Sequence, residues 1–157
     1  MSRHALFLPA FLLAISPVLA YAADVCPVTS TPNPRFVPSS PEPLPRNSFW
    51  FGTNDFWTAL PVDGIWHWSS RTYQGLSRLS LWKAGYDGDA EPRPEIAIDL
   101  KRLDAEGPPA HSQLVGANAN VNGLFRMASG ITFPSIGCWQ VIVSHGGHSV
   151  TFVASVQ

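Results

Sequence analysis

The fold of this chain is decided by residues 137–156, which read GCWQVIVSHGGHSVTFVASV. Apolar residues recur at every second position on both sides of a Gly-Gly pair: Trp139, Val141, Val143, Val150, Phe152 and Ala154. Successive side chains of a strand point to opposite faces, so this period is typical of strands with one buried face. Gly146 and Gly147 can supply the positive φ angles that a short hairpin turn needs. The stretch therefore predicts a β-hairpin.

The rest of the chain breaks into short runs of the same kind. The predicted strands are residues 49–51, 56–60, 64–68, 76–82, 95–103 and 123–133. Turn residues such as Pro61-Val62-Asp63-Gly64 separate them, and no stretch shows the 3.6-residue period of a helix. We predict an all-β fold, an immunoglobulin-like antiparallel β-sandwich of about seven strands. A small β-barrel is the alternative.

The N-terminus has the composition of a secretory signal peptide. Arg3 and His4 precede the apolar residues 5–19, and Ala20-Tyr21-Ala22 matches an A-x-A cleavage site. We therefore predict a signal peptide over residues 1–23 and an exported protein of the periplasm or the extracellular space. The apolar run is shorter than the roughly 20 residues of a membrane span. No transmembrane segment is expected in the mature chain.

A proline-rich segment follows the predicted signal peptide. Seven prolines fall within residues 25–46, and proline removes a backbone donor and disrupts both helices and central strands. We predict an extended arm over residues 24–48 and a sandwich domain over residues 49–157.

The chain has two cysteines, Cys26 and Cys138. In an exported protein the simplest expectation is one disulfide between them, and two free thiols are the alternative. In a strand, the side chain of Cys138 would point to the face opposite those of Trp139 and Val141. If those two side chains face the core, the disulfide would fasten the arm to the outer face of the last hairpin.

Several short phrases are similar to a known family. They are Cys26-Pro-Val-Thr29, Phe49-Trp-Phe-Gly52, Trp57-Thr-Ala-Leu-Pro61, Glu91-Pro-Arg-Pro-Glu95, Gly137-Cys-Trp139 and Thr151-Phe-Val153. The chain resembles a family of small exported bacterial proteins of uncharacterised function, with a Cys-Pro-Val-Thr start and a C-terminal Gly-Cys-Trp hairpin. The resemblance implies a bacterial envelope or secreted location and agrees with a disulfide between the two cysteines. It implies no activity.

Charge and histidines offer little for catalysis or nucleic-acid binding. The formal net charge is −1 and neither sign is gathered into a patch, so no nucleic-acid partner is expected. His145 and His148 flank the Gly-Gly turn and are weak metal candidates, but they lack a third ligand nearby in sequence. The chain has no G-x-S-x-G nucleophile elbow. We predict no catalytic residue, no metal and no cofactor.

Aromatic residues are the best functional candidates in the sequence. Trp50, Trp66 and Trp68 lie within a short aromatic-rich stretch and could form an exposed platform for a carbohydrate, a peptide or a partner protein. Alternatively, the arm covers the outward-facing rings. A strand over residues 64–68 would place Trp66 and Trp68 on one face, so both should be core or both surface, while Trp57 is the stronger core candidate.

These observations favour a non-enzymatic exported binding or accessory module of the bacterial envelope, with an unknown protein, peptide or carbohydrate ligand. The alternative is a small secreted hydrolase or metal-dependent enzyme.

Overall fold

The structure is a computed structural model that describes residues 25–39, 42–68, 76–121 and 123–157; the predicted signal peptide lies outside them. These residues form β-strands and no α-helix. The strands are β1 (Ser48–Gly52), β2 (Phe56–Pro61), β3 (Ile65–Trp66), β4 (Leu76–Lys83), β5 (Glu95–Arg102), β6 (Ala110–Val115), β7 (Ala117–Val121), β8 (Leu124–Thr132), β9 (Gly137–His145) and β10 (His148–Val156). The all-β prediction is confirmed, with ten strands in place of about seven.

The strands form two five-stranded sheets. The first has the order β1-β2-β4-β8-β7 and the second the order β3-β10-β9-β5-β6. All pairs are antiparallel except the short parallel pair of β3 with β10. Packing β2-β4-β8-β7 against β10-β9-β5-β6 reproduces the strand arrangement of an immunoglobulin-like sandwich. The strands that were not predicted include β6 and β7. They are consecutive in the chain, which passes from the second sheet to the first at Gly116 between them.

The main core lies between the two sheets and follows the alternation seen in the sequence. Trp139, Val141 and Val143 of β9 are buried in it, together with Phe152 of β10. The ring of Phe152 stacks on that of Trp66 with 5.7 Å between centroids. Gly146 and Gly147 have φ angles of 55° and 80°, so the predicted hairpin turn forms as the glycines require.

The disulfide between Cys26 and Cys138 is present, with 5.4 Å between the Cα atoms. Trp139 faces the core, so the neighbouring Cys138 points to the outer face, and the bond holds the arm there, as expected. Nearby, Thr29 donates its backbone N–H to the carbonyl of Val153 over 3.0 Å. The Val153 N–H in turn donates to Thr29 Oγ1 over 2.8 Å.

The described residues before Ser48 contain neither helix nor strand, so the arm is held by its contacts with the sandwich. One such contact is the packing of Val28 on Gly64. Gly64 has a φ of 65°, and a Cβ atom placed on it would lie 2.5 Å from the Cβ of Val28. Any side chain at residue 64, between β2 and β3, would therefore collide with Val28 of the arm.

Candidate functional site

A second apolar cluster lies on the outer face of the first sheet. We call Trp50, Trp57 and Trp82 the outer tryptophan cluster; all three are buried, and Phe36 of the arm packs against them. The rings of Trp50 and Trp82 meet edge to face with 4.9 Å between centroids. The arm therefore covers these outward-facing rings, and Trp50, a ligand-binding candidate from the sequence, is packed beneath it.

Glu42 of the arm brings a carboxylate to the edge of this cluster. Its Oε1 accepts a hydrogen bond from Trp82 Nε1 over 3.0 Å, and its Oε2 lies 3.7 Å from Arg126 Nη1. The Glu42 side chain is only 8% exposed. Burial of a carboxylate is unfavourable unless it is paired, so these two contacts account for its place in the structure.

Beyond Glu42, the arm and the first sheet enclose a cleft of about 450 Å³, which we call the arginine cleft. Its polar lining includes Arg78, Arg126, Ser77 and Ser80, and its apolar lining includes Pro45, Pro61, Ile65 and Trp66. No acidic residue is among the described residues that line it. The volume falls within the range of small-molecule sites, and a mixed lining of this kind can both orient and bury a ligand.

Strand pairing positions the polar side chains of the cleft. Leu79 and Leu81 of β4 are buried in the core, so the alternating Arg78 and Ser80 face outward. On β8 the buried Met127 likewise turns Arg126 outward. The two strands are antiparallel neighbours, with Leu81 opposite Met127, and this register brings Arg126 beside the end of β4 that carries Trp82.

The guanidinium group of Arg126 is only partly compensated. Its side chain is 35% exposed, and its one ion-pair contact among the described residues is the 3.7 Å approach to Glu42. Its Nε atom is buried without a hydrogen-bond partner among them, which is unusual for a buried polar atom. Arg78 lines the same cleft and has no ion pair with a described residue. The cleft is therefore a region of positive charge on a chain whose net charge is −1.

The structure separates Trp66 from Trp68, contrary to the expectation that they share one environment. Trp66 is 8% exposed and packs in the main core, whereas Trp68 is 37% exposed. The expectation is wrong because Trp68 lies beyond the end of β3, where its backbone N–H still donates to the Gln157 carbonyl over 2.7 Å but its ring is outside the main core. Trp66 and the neighbouring His67 line the cleft, and Trp68 is not among its lining residues.

His145 lies in a smaller cavity of about 380 Å³ at the opposite sheet, together with Glu91, Glu95 and Ser144. Its Nδ1 is 2.9 Å from the carbonyl oxygen of Glu95 and its Nε2 is 3.3 Å from Glu91 Oε2. Both ring nitrogens thus lie close to acceptor oxygens.

Tyr86 packs edge to face on His145 and donates its hydroxyl proton to the Glu91 carbonyl over 2.8 Å. Burial raises the pKa of the Tyr86 phenol, and the carboxylates of Glu91 and Asp87 raise it further.

His148 lies across the turn from His145, with its ring 6.4 Å from that of Phe56. Within the described ranges no group of three or more His, Cys, Asp or Glu residues is arranged to hold a metal ion.

Sequence reasoning did not find Arg78 or Arg126. Each is a single basic residue inside a strand, and the two are distant in sequence, so no charge run marks them. The available signal was that each arginine alternates with apolar residues, as in Arg78-Leu79-Ser80-Leu81 and in Phe125-Arg126-Met127. Only the pairing of β4 with β8 brings them to one cleft.

Comparison with models of known protein families, with curated proteins and with solved structures gave no match to this chain. In the part of the chain that the structure describes, no helix has the length and hydropathy needed to cross a membrane. The fold and the site together define an all-β sandwich with a cationic cleft between one sheet and a disulfide-tethered arm.

Proposed function

We propose that this protein is a non-enzymatic exported binding or accessory module of the bacterial envelope, and that the arginine cleft is its binding site. The observation that carries the proposal is Arg126. A guanidinium beside a cleft, on a side chain that is 35% exposed and with a carboxylate no closer than 3.7 Å, keeps capacity for an external partner. The terminal nitrogens of such a guanidinium can make charge-assisted hydrogen bonds to a ligand.

The placement of the cleft favours binding by a preformed surface. Its arginines stand on strands in the interior of a five-stranded sheet, and its other wall is the arm, which a disulfide tethers to the sandwich. A rigid scaffold lowers the entropy cost of binding. The candidate ligand classes are those expected from the sequence: a protein, a peptide or a carbohydrate.

Two observations support the proposed location. A disulfide persists in oxidising compartments such as the periplasm and the extracellular space and is rare in the cytosol. The resemblance of the sequence to small exported bacterial proteins points the same way. Export through the signal peptide of residues 1–23 would deliver the chain to such a compartment.

A capture experiment tests the proposal. The oxidised mature protein is immobilised and exposed to a solubilised bacterial envelope fraction, in parallel with Arg126→Gln and with Arg93→Gln. Arg93 is an exposed arginine outside the cleft, so it controls for the loss of one positive charge. We expect a component retained by the wild type and by Arg93→Gln but not by Arg126→Gln. Equal retention by all three proteins, or retention by none, would contradict binding at the cleft.

A further inference from the structure

We infer that the ligand of the arginine cleft carries a carboxylate, which is bound at the Arg126 end while an apolar part of the ligand lies against Pro45, Pro61 and Ile65. This inference rests on the proposed function and narrows it to a ligand chemistry. It follows from the state of the Arg126 guanidinium, from the carboxylate already beside it, and from the lining of the cleft.

The Arg126 guanidinium has hydrogen-bond donors that no described residue uses. Arginine presents five N–H donors in a rigid planar fork that matches the two oxygens of a carboxylate. Arg126 makes no hydrogen bond to another described side chain, because its distance of 3.7 Å from Glu42 exceeds hydrogen-bond range. The partly exposed nitrogens at the end of the side chain therefore face the cleft with their hydrogen-bonding capacity unused.

Glu42 indicates which anion suits this position. The arm places one carboxylate beside Arg126, yet commits its Oε1 to Trp82. A carboxylate can thus be accommodated at this end of the cleft, and the one already there leaves the guanidinium under-compensated. A second carboxylate, brought by a ligand, can make the direct charge-assisted bonds that Glu42 does not make.

The rest of the cleft limits what accompanies the carboxylate. Arg78 precedes Trp82 by four residues on β4, which is about 13 Å along a strand, so its charge acts from the far end of the cleft and contributes less than Arg126. The cleft is also lined by Pro45, Pro61 and Ile65 and by the hydroxyls of Ser77 and Ser80. This lining suits a ligand with one acidic end and a body that is at least partly apolar.

Calorimetric titration with matched acid and neutral probes tests the inference. N-acetyl-L-leucine is compared with N-acetyl-L-leucinamide, and D-galacturonate with D-galactose. We expect at least one acid to bind, with its neutral partner at least about tenfold weaker, as expected for loss of a hydrogen bond to a charged group. Preference for the leucine acid would identify a peptide end as the source of the carboxylate, and preference for galacturonate an acidic sugar.

Variants locate the binding. Arg126→Gln should weaken binding of the preferred acid at least about tenfold, Arg78→Gln by no more than about fivefold, and Arg93→Gln should leave it unchanged. Glu42→Gln removes the one carboxylate within 4 Å of Arg126 among the described residues and should tighten binding. Thermal melting checks that each variant is folded.

A measurement on the wild type keeps the test independent of folding defects. The Nε–H of Arg126 is buried, so its proton exchanges slowly with water and its NMR signal can be followed. Because the acid binds the same guanidinium, the signal should shift as the acid is added and stay in place with the neutral probe. Equal binding of acid and neutral probes, or binding unaffected by Arg126→Gln, would overturn the carboxylate inference. If neither acid binds while the envelope component is still captured through Arg126, the inference fails and the proposed function stands; if both results are negative, both fail.

Discussion

Trp82 donates a hydrogen bond from its indole Nε1 to Glu42 Oε1 over 3.0 Å, and this bond joins the arm to the outer face of the first sheet. Trp57, which pairs with Trp82 across the two strands, is buried to the same extent, but its Nε1 has no partner among the described residues. The two tryptophans thus differ in one hydrogen bond, although they share a cluster.

That difference predicts unequal costs for the same substitution. Trp82→Phe leaves the buried Glu42 carboxylate without its donor, whereas Trp57→Phe removes a donor that was already unpaired. We expect the free energy of unfolding to fall by about 1.5–3 kcal/mol more for Trp82→Phe than for Trp57→Phe, the usual worth of a hydrogen bond to a charged group. Urea unfolding of both variants measures the difference. Equal losses would show that the Glu42 bond contributes nothing.

Trp66 and Trp68 should respond very differently to truncation. Trp66→Ala removes a ring stacked in the main core and should lower the free energy of unfolding by roughly 3–5 kcal/mol. Trp68→Ala changes an exposed residue beyond the end of β3 and should stay within about 0.5 kcal/mol of the wild type. Chemical denaturation of the two variants provides the comparison. A severe loss in Trp68→Ala would mean that the Trp68 ring is enclosed and not exposed.

The contact between Val28 and Gly64 can be tested against a glycine in open space. Gly147 also has a positive φ, of 80°, but a Cβ atom there would meet nothing within 4 Å. Gly147→Ala should therefore cost only the backbone strain, roughly 1–2 kcal/mol, while Gly64→Ala should cost that amount and the displacement of Val28 as well.

A second substitution isolates the steric part of the Gly64 effect. Val28→Gly removes the side chain that the new methyl group would strike, so adding it to Gly64→Ala should recover stability relative to the simple sum of the two single changes. A double-mutant cycle by urea unfolding gives this coupling. Strict additivity would indicate that Val28 does not rest on Gly64.

Asp104 should make the stability of the protein depend on acid pH. The hydrogen bond from Arg102 Nε over 2.7 Å is the main cause that holds the pKa of the Asp104 carboxyl below its ordinary value, with smaller help from the Cys138 backbone. A carboxyl with a lowered folded pKa stabilises the native state above its unfolded pKa of about 3.9. This contribution is lost as the pH falls through the folded pKa.

Comparison of Asp104→Asn with the wild type between pH 7 and pH 2 tests this dependence. We expect the variant to be less stable at neutral pH and the gap to close as the pH falls below about 4. Glu106→Gln, at an exposed residue with no ion pair to another described residue, should show no such closing gap. A gap between Asp104→Asn and wild type that is constant with pH would refute the role of the Arg102 hydrogen bond.

Alternation predicted the strands that border the core, because burial on one face imposes it. The hairpin of β9 and β10 and the strand β5, whose Ile96, Ile98 and Leu100 are buried, could all be placed from sequence. β7 could not. Its Ala-Asn repeat lacks alternating large apolar residues, and as an edge strand paired only with β8 it has no need of the apolar pattern of a central strand.

The candidate site was less predictable than the fold, because it depends on register. Whether Arg78 and Arg126 share a cleft is fixed by which strands pair and at which residues, and neither arginine's immediate sequence records this. The same holds for the tryptophans. Trp50 lies in the outer tryptophan cluster, but whether such an outward ring is exposed depends on the path of the arm, which a proline-rich segment does not specify.

The disulfide joins residues separated by 112 positions and so limits when this part of the fold can form during synthesis. A ribosome makes Cys26 long before Cys138, and β3, like Thr29, also takes its partner from the final strand β10. Contacts between distant parts of a chain form slowly, because loop closure comes before any gain. The residues around Cys26 and Thr29 therefore lack their native partners until β9 and β10 have been synthesised, and the disulfide can form only after Cys138 has been made.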